Sequence, residues 1–245
     1  MSAKVRKQSN NTGFLAALGA IVVAGVGFMI WKTQQPPTAP PIVLANVADS
    51  ALAARARGYT IGSPDAKVEI VEFADFECPA CGSFAAITEP DVRKNLVATG
   101  LVRYTFYDFP LLNAHQNTIP ASMAAACADD QGKFWELHDR IFEGQFEWNG
   151  QATGNPRGVI STYAQKLGLD MKKWDACMDA GTHTERIKAN YALGVTKQVG
   201  STPTFFINGK MLRGAANYDD IKAAVDSANA PNLPIPAVVP VPAAK

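Results

Sequence analysis

The sequence predicts an α/β fold with an inserted α-helical domain, preceded by one N-terminal transmembrane helix. Three observations lead there. A β-branched run at 67–73 leads into a helical pattern from Cys81 and then a second strand-like run at 101–107. Much later, Thr204-Phe205-Phe206-Ile207 and Lys210-Met211-Leu212-Arg213 flank Asn208-Gly209, the strongest short-range hairpin signal. An uncharged stretch near the amino end is bounded by basic residues.

In that stretch Lys4, Arg6 and Lys7 precede the apolar residues 14–31, and Lys32 closes it. Its length is near the lower limit for a helix crossing a hydrocarbon core of about 30 Å. A cleaved signal peptide is the rival reading. It has a shorter apolar region followed at once by small residues, whereas Trp31-Lys32-Thr33-Gln34-Gln35-Pro36 follows here. With the basic flank leading, residues 1–13 stay in the cytoplasm. The expectation is a single-pass protein of the bacterial inner (cytoplasmic) membrane, its bulk in the periplasm or extracytoplasmic space. Its four cysteines then work in an oxidising compartment. A net charge of +1, with no basic run interleaved with aromatics, gives no electrostatic case for nucleic acid.

The anchor at 14–31 is followed at 32–58 by a spacer whose proline-rich start, residues 34–41, forms neither helix nor ladder. Residues 59–112 hold the first part of the α/β unit. Strand, helix and strand in that order imply a right-handed crossover and parallel pairing. Pro90 divides the helix and Gly100 ends it. In the insertion, 113–193, Met123, Cys127, Phe134, Leu137 and Ile141 recur at helical intervals, with a break at 150–156. Trp135, Trp148, Trp174, Phe134, Phe142 and Phe146 read as its core. The second part, 194–228, carries the hairpin and a final helix capped by Asn217, with Asp219 and Asp220 in its first turn. The proline-rich tail, 229–245, is expected to be disordered.

The chemistry sits in Glu77-Cys78-Pro79-Ala80-Cys81, at a strand-to-helix junction. Two cysteines three apart close a small disulfide, and the first lies where unpaired N–H groups point outward. The positive helix end favours a thiolate, so Cys78 is the expected nucleophile. Pro79 suits the first helical position. Cys81, one turn in, resolves the mixed disulfide. A zinc reading needs further ligands, and Cys127, Cys177 and the three histidines show no matching spacing, so neither metal nor cofactor is expected. Cys127 and Cys177 are either two core thiols or a structural bridge pinning the insertion, and an oxidising compartment favours the bridge. His138 reads as a satisfied or surface side chain, and His115 and His183 as loop residues.

Strand, Cys-Pro-x-Cys, helix, strand, helical insertion, the Thr202-Pro203-Thr204-Phe205-Phe206-Ile207-Asn208-Gly209 hairpin and closing helix together resemble the disulfide-bond protein A family of the thioredoxin superfamily. The resemblance covers about residues 59–228 and implies a thioredoxin fold. It implies that Pro203 is cis and lies against the cysteine pair, and that Thr202 offers backbone groups to a substrate chain by strand addition. Glu72 matches the family's buried acidic residue, a proton acceptor for the resolving cysteine. Some relatives also resemble this chain in a Cys127–Cys177 bridge. There are departures: Ala80 stands where well-known oxidases have a histidine, and Glu77 adds a negative charge that raises the thiol pKa if close. Both point to a less extreme oxidant. The implied partners are unfolded or secreted proteins with cysteine thiols and a membrane redox partner that recycles the pair. A reductase or isomerase of the same fold and a non-catalytic tethered binding module are the alternatives.

Overall fold

The computed structural model describes residues 12–33, 42–44 and 48–230. The basic flank Lys4, Arg6 and Lys7, the proline-rich start of the spacer and the tail from 231 lie outside the described residues. The chain forms two units, Met1–Thr38 and Ala39–Lys245. The first holds helix α1 (Thr12–Thr33), 22 residues long. Its described side chains, 16–27 and 29, are exposed. Among the described residues no helix is long and apolar enough to cross a membrane.

The second unit opens on the short helix α2 (Ser50–Ala53) and is built on five strands: β1 (Tyr59–Ile61), β2 (Val68–Ala74), β3 (Val102–Asp108), β4 (Thr204–Ile207) and β5 (Lys210–Arg213). Their order is β1-β3-β2-β4-β5. β2 and β3 run parallel and the other pairs antiparallel. Asn208 and Gly209 both take positive φ, as a tight two-residue hairpin requires. The edge strand β1 was absent from the sequence reading. It is only three residues long, and tertiary contacts define it: Tyr59 pairs opposite Phe106, stacks on Phe134 at 3.6 Å between centroids, and carries the Arg186 guanidinium 3.7 Å above its ring.

Period-two alternation sorts β2 between two faces. Val68 and Ile70 pack with Phe84 of α3 (Pro79–Ile87) and with Ile221 and Val225 of α11 (Tyr218–Asn229). Glu72 shares their parity, which puts its carboxyl on the α3 side. Phe73 joins Phe109, Val199 and Phe206 on the opposite face, where α10 (Thr184–Thr196) lies. Pro90 interrupts the helix as expected: α3 gives way to α4 (Glu89–Val92), which opens on Glu89-Pro90 and continues as a π-helical turn, Arg93–Val97. Asn217 and Asp220 close a capping box on α11.

Between β3 and β4 come α5 (Thr118–Asp129), α6 (Phe134–Glu143), α7 (Gln145–Trp148), α8 (Pro156–Lys166), α9 (Met171–Ala180) and α10. Eight consecutive residues of α5, from Ala121 to Ala128, are buried, so this helix is apolar all round and central. Cys127 of α5 is bridged to Cys177 of α9, 50 residues away, with their Cα atoms 5.8 Å apart. Trp148 and Trp174 are fully buried, and their indole N–H groups donate to the carbonyls of Ile141 and Ala124. Phe146 is instead 83% exposed. In the single turn of α7 the inward positions go to Gln145 and Trp148.

Gly194 shows how tightly α10 meets the sheet: a Cβ there would lie 2.4 Å from Phe109 Cδ2 and 3.1 Å from Phe73 Cδ1. Gly194→Ala therefore sets a gain of about 1 kcal/mol in helix propensity against an overpacking cost of about 1–3 kcal/mol. Urea unfolding should show a net loss of stability, and an unchanged or raised midpoint would contradict the packing described.

Candidate active site

The segment Asp75–Cys81 leaves the carboxyl end of β2 and turns into α3. Cys78 is the N-cap, with extended backbone angles, Pro79 follows in the first helical turn, and Ala80 is half-buried behind it. Both Cys78 and Cys81 are free thiols, 6% and 0% exposed. The Thr202–Pro203 peptide bond is cis, and the Cys78 thiol donates to the Thr202 carbonyl oxygen at 3.4 Å. Residues 124 positions apart thus meet in one site.

The two thiols have opposite electrostatics. Cys78 is lowered to about 6, chiefly by the hydrogen bond it receives from Cys81; partial burial opposes this, and Thr202 and the backbone N–H groups of Cys81 and Ala80 assist. Those N–H groups close no formal cap hydrogen bond to the sulfur, yet their positive ends face it at the helix start. Cys81 is pushed well up, first by burial and then by its donation to Cys78. Burial likewise lifts the Glu72 carboxyl well above the usual range, and the charge of Glu89 adds to this; a 2.5 Å hydrogen bond from the Tyr104 hydroxyl works against it. The charge of Glu72 pushes Cys81 further in the same direction.

Glu77 does not behave as its position suggests. Its carboxylate is buried and accepts from the backbone N–H of Asn117 at 2.6 Å and of Gly150 at 2.5 Å. The charge is directed into the insertion, and Cys78 falls to about 6 despite it and without a histidine at position 80. Gln145 and Asp75 carried no site role in the sequence reading, and His115 was read only as a loop residue. Gln145 donates to the carbonyls of Phe76 and Cys78 at 2.8 and 3.0 Å. Asp75 accepts from the backbone N–H groups of Glu77 and Leu111 and lies 2.8 Å from His115 Nδ1. That bond to Asp75 raises the pKa of His115 against its burial, and Cys78 contributes in the same direction. His138 is fully buried rather than exposed and only half satisfied: its Nδ1 lies 2.8 Å from Asp139 Oδ1, while Nε2 is unpartnered among the described residues. A glutamine or histidine in a helical insertion carries no local signal, because the partners of these side chains are tens of residues away.

A family model described as thioredoxin matches residues 55–227. The chain belongs to that family. Among solved structures, α-DsbA1 of Wolbachia pipientis is similar with a TM-score of 0.64 and 18% identity, over 74% of this chain and 97% of that one, a likeness of fold. The disulfide bond formation protein D of Bacillus subtilis is 25% identical over 68% of this chain and 74% of its own length. The Na(+)/H(+) antiporter NhaA 3 of Salinispora tropica is 36% identical over 70% of this chain, which spans only 25% of that protein. The thioredoxin-family match covers both the cysteine pair and the cis-proline loop.

Two measurements test the electrostatics of this thioredoxin-family site. Alkylation of Cys78 in the reduced protein should rise with pH through a midpoint of about 6. Cys81→Ala removes the main donor and should move the midpoint up toward the ordinary thiol value of about 8.5. Because the folded pKa is depressed, the stabilisation this thiolate gives the reduced protein is complete above about 8.5 and is lost as the pH falls through about 6. For Glu72 the sign is reversed: its raised pKa makes the folded state lose stability as the pH rises above the unfolded value, about 4.3. Glu72→Gln should match wild type in urea unfolding below that pH and exceed it at neutral pH. A wild-type advantage at neutral pH would contradict the assigned direction.

Proposed function

We propose that the chain is a membrane-tethered, extracytoplasmic thiol:disulfide oxidoreductase that oxidises the thiols of substrate proteins through a Cys78–Cys81 disulfide. The observation that carries this is the asymmetric pair: a Cys78 thiol lowered to about 6 at the mouth of α3, against the carbonyl of Thr202, with Cys81 sealed beneath it. A substrate thiolate attacks Cys78 Sγ of the disulfide, and the S–S bond breaks toward Cys81, which leaves as a thiolate. Glu72, whose carboxyl pKa burial raises, supplies its proton. A second substrate thiolate then attacks the substrate sulfur of the mixed disulfide and expels Cys78 as a stabilised thiolate. Two electrons have passed from substrate to enzyme, and a membrane redox partner removes them.

The low pKa favours the oxidase direction, since a stabilised thiolate makes the reduced form favourable. The Bacillus relative's name, disulfide bond formation protein, is in keeping with it. Thr202 and Pro203 hold an extended substrate segment through backbone hydrogen bonds. For the tether, the support is the sequence: the apolar run 14–31 is preceded by Lys4, Arg6 and Lys7 and closed by Lys32.

Two results are expected of the purified protein. The redox potential should lie well above that of thioredoxin, about −270 mV, and a value at or below it would sink the oxidase reading. Cys81→Ser should accumulate mixed disulfides with secreted proteins through Cys78; a variant that traps nothing would leave only a binding module.

A further inference from the structure

Outside the redox pair, the Cys127–Cys177 bridge has unexpected neighbours. His183, at the N-cap of α10, brings a ring nitrogen close enough that its donor atom and the two sulfurs all lie within 4.8 Å of one another. Asp130, at the C-cap of α5, adds a fourth donor: its Oδ2 is 2.9 Å from His183 Nε2 and 3.7 Å from Cys177 Sγ. Two sulfurs, one imidazole nitrogen and one carboxylate oxygen thus converge from the ends of α5 and α10 and from α9. That is a donor set and number suited to tetrahedral zinc. Sequence spacing hides it, because 50 residues separate the cysteines.

Sulfurs bonded to each other do not ligate zinc, whereas two thiolates do. We propose that Cys127, Cys177, His183 and Asp130 form a redox-gated zinc site, closed by the disulfide when oxidised and holding one zinc ion when reduced. The gate needs a dithiol reductant. Its two electrons break the Cys127–Cys177 bond, the dithiol becomes a disulfide, and the two freed thiols lose their protons to solvent as zinc binds. Reduction must let the two bonded sulfurs part to about 3.8 Å, their spacing in a tetrahedral site with Zn–S bonds of about 2.3 Å, while the histidine donor already lies within 4.8 Å of both. Cys177 is half-buried, so reductant and ion have a path that the fully enclosed Cys127 lacks. Bound zinc would join α5, α9 and the start of α10 in the reduced protein as the disulfide joins α5 and α9 in the oxidised one. None of this depends on exchange at Cys78.

The test uses the full chain carrying Cys78→Ser and Cys81→Ser, which removes the other thiol pair. The protein is reduced with a phosphine without oxygen and titrated with cobalt(II). Thiolate-to-cobalt charge-transfer absorption should saturate at one ion per chain, vanish on adding zinc, and be absent from the oxidised protein. Cys177→Ser should abolish it. His183→Ala and Asp130→Asn should each weaken cobalt binding by at least the roughly tenfold that loss of even an outer-shell partner costs. Far-UV circular dichroism reports whether the reduced chain stays folded. No charge-transfer band in a folded reduced chain overturns the proposal, as does a reduced chain that unfolds and is not recovered by cobalt. A band indifferent to both His183→Ala and Asp130→Asn overturns it too, since those residues would then only pair with each other.

Discussion

The polar clamp that the helical insertion places on residues 75–78 is the constraint on which the active site rests. Four consecutive residues between β2 and α3 are buried, and none of their polar groups can be left to water. Glu77 accepts from the N–H groups of Asn117 and Gly150, Asp75 from that of Leu111, and Gln145 donates to the carbonyls of Phe76 and Cys78. Hydrogen bonds to charged groups contribute about 1.5–3 kcal/mol each, and an orphaned buried partner costs a comparable amount. The clamp therefore ties the position of Cys78 to α5, α7 and the loop after β3.

Within that frame the acidity of Cys78 follows from orientation rather than from a neighbouring cation. The Cys81 thiol donates to it, the first-turn N–H groups face it, and the nearest acid in sequence, Glu77, spends its charge on backbone donors in the insertion. The same burial that permits this raises Cys81 and Glu72. One thiol is thus lowered to about 6, and the other is raised together with the buried acid. A single low-dielectric pocket separates the two titrations because only Cys78 reaches the helix end.

Most of the scaffold was legible in the sequence because its signals are local. Two strands, the division at Pro90, the Asn208-Gly209 hairpin and the Asn217 cap are each settled by residues within a few positions of one another. The cysteine pair was legible for the same reason. β1 was not, since stacking of Tyr59 on Phe134 and Arg186 defines it. Neither were Gln145 and His115, whose partners lie 67 and 40 residues away. Phe146 misled because apolar character states what a residue prefers, and in a one-turn helix two neighbours had already taken the interior.

The clamp also explains the residue that follows the pair. A Cβ at Gly82 would stand 3.0 Å from Gln145 Oε1 and 3.2 Å from its Nε2, tighter than ordinary side-chain contacts. Gln145 must lie across the first turn of α3 to reach the Cys78 carbonyl, which also accepts the Gly82 N–H at 3.0 Å. A larger residue at 82 would push the amide away, taking its donor from the buried Phe76 carbonyl and leaving the Cys78 carbonyl only the residue-82 N–H. Glycine is a poor helix former, by about 1 kcal/mol relative to alanine. Its presence one residue after Cys81 is therefore a concession to the insertion: helix stability is given up so that a side chain 63 positions later can hold the Cys78 backbone in place.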